Sequence, residues 1–131
     1  TLPPSSAASD VYKRQVLIIL ILISNAKKGG KKISCQYLIS LSNNDSALIV
    51  DLRDSDTFNS GHITSSINVP LKDISRRSNE LVKIDKSIVL VCETGGVSTN
   101  AGETLKKEGI EKILILKGGI NEWKMSNLPL V

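Results

Sequence analysis

Aromatic side chains are nearly missing from this chain: among 131 residues only Tyr12, Tyr37, Phe58 and Trp123 are aromatic. The core must therefore be assembled from Ile, Leu and Val, and the stacking platforms that hold nucleic-acid bases are scarce, so no nucleic-acid partner is expected. Histidine occurs once, at His62, and cysteine twice, at Cys35 and Cys92. One imidazole and two distant thiols offer no metal-ligand spacing, and no cofactor is expected. Thiols 57 positions apart, with no recognisable cleavable signal ahead of them, do not build a disulfide framework. They read as free thiols in a reducing compartment.

The remaining composition is that of a globular chain, with 40% apolar and 23% charged residues, which excludes wholesale disorder. The length fits one domain. The formal net charge of +4 is not spread over the chain. Residues 33–131 hold 11 Lys/Arg against 12 Asp/Glu, whereas Lys27, Lys28, Lys31 and Lys32 form one short run. Such a cluster is of the kind found beside a membrane and does not line a groove for polyanions. Gly29 and Gly30 beside these lysines do not make a phosphate loop, because no Ser or Thr follows at the required spacing.

Residues 1–15 show no period, and Asp10–Gln15 (DVYKRQ) resembles a translated transposase adapter, so 1–15 is read as a non-native segment, with a native polar tail as the alternative, and set aside. Only one long hydrophobic run exists, VLIILILI at 16–23. Eight residues fall short of the ~20 that span a bilayer. A buried strand fits that length, but the lysines that follow match the cytoplasmic edge of a membrane helix. The expectation is a truncated transmembrane helix over 16–26, a basic linker over 27–32, and a domain over 33–131 facing the cytoplasm from the inner membrane.

Beyond Lys32 short aliphatic runs alternate with amphipathic ones. Ile33–Leu41 has helical spacing, Ala47–Leu52 reads as a buried strand, and Asp54–Gly61 as a short helix. Ile67–Val69 is a strand stopped by Pro70, and residues 71–84 form a helical segment around a polar centre. Ile88–Val91 and Ile113–Leu116 are strands, 98–108 is a helix closed by Gly109, and Gly118-Gly119 opens a last helix through Trp123. Strands and helices in this order imply an α/β fold with a parallel sheet covered on both faces. Right-handed crossovers then collect the strand C-termini, and any site, along one edge.

Cys92 falls on that edge, in the order strand, Cys92, Glu93, Thr94, Gly95, Gly96, Val97, Ser98, helix. A Gly-containing loop ahead of a helix can turn several N–H groups inward and add the positive end of the helix dipole. A thiol at its centre is then favoured as thiolate, which suits a nucleophile. The competing reading is a structural cysteine at a strand end, since free cysteine is commonly buried.

These residues have a family resemblance. Asp51-Leu52-Arg53, Asp56, Phe58, Gly61-His62-Ile63, Ser66-Ile67-Asn68-Val69-Pro70, the cysteine loop, Leu105, Gly109, and Gly118-Gly119 with Trp123 together resemble a single-domain rhodanese over residues 33–131. With the aliphatic run and the lysines, the chain looks like the membrane-anchored, single-pass rhodanese-like proteins of Gram-negative bacteria. The resemblance implies about five parallel strands flanked by helices on both faces. It also implies a sulfurtransferase in which Cys92 takes a sulfane sulfur from a donor, holds it as a persulfide and passes it to cyanide or a thiol acceptor.

The loop that would hold the substrate is Glu93, Thr94, Gly95, Gly96, Val97 and Ser98, with Asp51 and Arg53 scaffolding it. Counted from Cys92 as the first residue to Val97 as the sixth, the loop is shorter by one than the phosphatase type. Cys92 and Gly95 fit the family pattern, but the sixth place, commonly polar or basic, is Val97, and the second is Glu93, whose charge opposes thiosulfate if it points inward. A membrane-tethered interaction module with weak or absent catalysis is therefore the alternative. His62 matches a structural position, Trp123 reads as core packing, and Cys35 as a buried filler on the first helix.

Overall fold

The computed structural model describes residues 13, 15–17 and 29–131. The adapter-like segment and the aliphatic run lie almost wholly outside the described residues, as do Lys27 and Lys28. Among the described residues no helix is long and apolar enough to cross a membrane.

The chain runs β1 (Lys31–Ile33), α1 (Cys35–Asn43), β2 (Ala47–Asp51), α2 (Ser55–Ser60), β3 (Ile67–Asn68), a single 3₁₀ turn (Leu71–Asp73), α3 (Ser78–Val82), β4 (Ser87–Val91), α4 (Gly96–Lys107), β5 (Ile113–Leu116) and α5 (Gly119–Met125). All strand pairs are parallel, in the order β1-β5-β4-β2-β3. The sheet is thus the expected five-stranded parallel one, and its side chains alternate between two layers. Val50, Ile88, Leu90 and Ile113 pack with Leu81 of α3 and with Ala101 and Leu105 of α4. Ile49, Val89, Val91 and Leu116 pack on the other face with Cys35 and Leu38 of α1 and Ile120 and Trp123 of α5.

The structure corrects four local expectations. Ile33 does not begin a helix: it ends β1, which pairs with β5, and α1 starts at Cys35, where the Ser34 hydroxyl accepts a hydrogen bond from the Tyr37 N–H at 3.1 Å. Lys31 and Lys32, read as linker, are therefore edge-strand residues, where exposed lysines guard against further pairing. Residues 71–84 split into the 3₁₀ turn and α3, since Ser75–Arg77 lack apolar side chains to hold one helix against the sheet. The helix after Cys92 starts at Gly96, two residues before Ser98, so Gly96 and Val97 are helical.

Topology decides where a site can form. From β2 the chain moves outward to β3, whereas from β4 it moves the opposite way to β5. The crevice between such diverging connections lies at the C-terminal ends of β2 and β4. Arg53 follows the first of these strands and Cys92 the second.

Candidate functional site

Cys92 sits directly after the central strand β4, in register with the Leu90 face, and only 4% of it is exposed. Beyond Thr94 the chain reverses at Gly95, whose φ of +97° lies in the left-handed region that a side chain disfavours. This turn aims the Gly95 N–H back at the cysteine, where it donates to Cys92 Sγ at 3.0 Å. The base of the loop is held from below. The Cys92 and Glu93 carbonyls accept hydrogen bonds from the Ile120 and Asn121 N–H groups of the first turn of α5, at 2.9 and 3.0 Å. Helix N–H groups without intrahelical partners are thereby satisfied by the loop itself. Gly119 makes this approach possible: its φ is +60°, and a Cβ there would strike both carbonyl oxygens. Gly118-Gly119, read from sequence only as a helix opening, also forms the floor of the cysteine loop. A double glycine between a strand and a helix was the available signal.

The wall beside the loop comes from the end of β2. Arg53 Nε donates to both oxygens of the Asp51 carboxylate at 3.0 and 3.1 Å, and Nη2 donates to Oδ2 at 2.8 Å. The Arg53 N–H caps the same carboxylate at 2.9 Å, and Nη2 also donates to the Gly61 carbonyl at 2.7 Å. Both side chains are buried, so the pair is no ordinary surface salt bridge. Asn68, a motif residue in the sequence, ties β3 to this wall by donating to the Asp51 and Arg53 carbonyls at 3.1 and 2.8 Å. The third guanidinium nitrogen, Nη1, faces Glu93 Oε2 at 3.9 Å. Glu93 is half exposed and turned toward Arg53.

Of the other loop residues, Thr94, Gly96 and Val97 are exposed at the mouth, and Gly95 is half-buried. Ser98 is fully buried on the inner face of α4, and its hydroxyl has no hydrogen-bond partner among the described residues. His62 does not join the cysteine: its ring stacks on Phe58 with centroids 3.9 Å apart, and Nδ1 lies 2.9 Å from the Phe58 carbonyl. Trp123 packs in the core and donates from Nε1 to the Pro129 carbonyl at 3.0 Å. Cys35 lies in the opposite layer from Cys92. Burial pushes its thiol pKa up, and the Glu122 carboxylate adds to the rise. No group of metal-ligating side chains exists among the described residues.

The arrangement is a buried thiol at a strand end, a backbone donor on its sulfur, and a buried arginine on the wall. Comparison with known proteins gives it a context. Residues 34–126 match the model of the rhodanese-like domain. The thiosulfate sulfurtransferase GlpE of Shewanella oneidensis is 31% identical over 97 residues, covering 74% of this chain and 95% of that protein. The uncharacterized protein YibN of Escherichia coli K12 is 32% identical over 120 residues, covering 88% of this chain and 84% of its own. Among solved structures, a rhodanese-related protein from Thermoplasma volcanium superposes with a TM-score of 0.67 at 28% identity, over 77% of this chain and 97% of that one. A match of this extent, on a sheet and a cysteine loop of this layout, shows that the chain belongs to the rhodanese-like family.

Proposed function

We propose that this rhodanese-like protein is a sulfurtransferase that works through a Cys92 persulfide. The observation that carries the reading is the Gly95 N–H donating to Cys92 Sγ, which puts a backbone donor on the atom that would carry the transferred sulfur. Cys92 thiolate attacks the outer, sulfane sulfur of the donor. With thiosulfate the sulfur–sulfur bond breaks and sulfite leaves with the bonding pair, so Cys92 carries the extra sulfur. An acceptor, cyanide or a thiolate, then attacks that outer sulfur, and Cys92 is returned as thiolate. No redox partner or metal is needed. The 31% identity to a named thiosulfate sulfurtransferase supports this reading.

The test is mass spectrometry of the full chain after incubation with a sulfane donor. A 32 Da adduct is expected on wild type and on Cys35→Ser, and none on Cys92→Ser, one sulfur atom being about 32 Da. Absence of an adduct with every donor tried would sink the proposal. The second reading, a membrane-tethered interaction module, is favoured by Val97, which puts an uncharged side chain at the mouth. It wins if Cys92→Ser performs as well as wild type in the cell. In either reading we propose tethering to the inner membrane with the domain in the cytoplasm, supported by the aliphatic run at 16–23 and the lysines after it. Recovery of the full-length protein in the alkaline-washed membrane fraction is expected, and its release into the wash would argue against the tether.

A further inference from the structure

We infer that Glu93, which faces Arg53 across 3.9 Å, selects the donor: Cys92 is served by sulfur donors without a permanent anionic group beside the transferable sulfur, and dianions such as thiosulfate are disfavoured. The inference rests on the reading of Cys92 as a persulfide-forming nucleophile and assigns the substrate class of that site.

Asp51 occupies Nε and Nη2 of Arg53, and Glu93 faces Nη1, so one positive charge is shared by two carboxylates. The wall therefore carries one net negative charge, and the half-exposed member is the one next in sequence to Cys92. Val97 brings no cation. Basic residues nearby are engaged elsewhere: Arg77, which donates to the Asn68 carbonyl at 3.1 Å, pairs with Glu80. Lys72 shares a hollow with Asp54 and Asp56, and Lys117 lines a separate cavity with Glu122. An anionic donor at Cys92 meets the carboxylate of the next residue in the chain, while Arg53, the one buried cation among the described residues, is already occupied. A donor with an uncharged flank meets no such opposition, because the Gly95 N–H remains available to the sulfur.

The test reads the charge at the mouth without requiring turnover. In a full-length Cys35→Ser background Cys92 is the sole thiol, and its alkylation rates are measured with iodoacetamide, which is neutral, and iodoacetate, an anion of similar size. Each rate is divided by that of a small free thiol. We expect the ratio to disfavour iodoacetate by about fivefold, and Glu93→Gln to remove at least about threefold of that. Glu111→Gln makes the same change in net charge at the opposite sheet edge and should leave the ratio alone. An unchanged ratio in Glu93→Gln overturns the inference. Should that variant fail to fold, the wild-type ratio must shrink between low and high salt, and a salt-independent ratio overturns it equally. Discrimination in alkylation combined with no sulfur adduct from any donor would leave the electrostatic selection standing and remove the sulfurtransferase reading instead.

Discussion

Cys92 and Cys35 are buried to almost the same degree, 4% and 3% exposed, and each lies close to the start of a helix. Their surroundings differ in what they offer a sulfur. Cys92 precedes its helix by a loop whose turn at Gly95 directs an N–H at Sγ. Cys35 is the first residue of α1, packed among Leu38, Ile120 and Trp123, beside a cavity of about 440 Å³ that Glu122 also lines. There burial and a carboxylate favour the neutral thiol. Two thiols of nearly equal burial thus face different groups, a backbone N–H at Cys92 and a carboxylate at Cys35.

The largest change should come from removing the wall that only Cys92 has. Asp51→Asn leaves Arg53 buried without its full partner, which costs about 3–5 kcal/mol. Chemical denaturation should show that loss, and a loss below about 1 kcal/mol would mean that solvent rescues the arginine. Gly119→Ala sharpens the comparison at the loop floor. A side chain at φ +60° against the Cys92 and Glu93 carbonyls should cost about 1–3 kcal/mol. Under native conditions it should change the alkylation rate of Cys92 while leaving that of Cys35 unaltered. Equal changes at both thiols would show that the floor is not local to the loop. The smallest effect belongs to Cys35. Below its unfolded pKa, near 9.0, the thiol is protonated folded and unfolded alike. Above it the unfolded chain releases the proton first, because the folded pKa is raised, and stability falls with rising pH. Across pH the melting temperatures of wild type and Cys35→Ser should keep a constant offset up to neutral pH and change it only on the alkaline side, and an offset constant throughout would remove the shift.

Much of this contrast was legible beforehand. The strand ending at Val91, the loop after Cys92 and the final glycine pair are all visible as local pattern, because period and turn chemistry act over a few residues. The β1 strand was not legible: three residues with two lysines become a strand only because the edge of β5 is free to pair with them. Nor was the partner of Glu93, since Arg53 lies 40 positions away and meets it only where β2 and β4 run side by side. The role of Asn68 was hidden for the same reason, its hydrogen bonds reaching 15 and 17 positions back.

Alternating apolar runs by themselves determined a parallel α/β sheet, and the order of motifs by itself determined the rhodanese-like assignment, since both are properties of neighbouring residues along the chain. Only the tertiary structure decided that Gly119 supports the cysteine loop, that Asp51 and Arg53 form a buried pair, and that Glu93 turns toward that pair. These depend on register between strands distant in sequence, where the cost of burying a charge is settled by whichever partner the fold brings within reach.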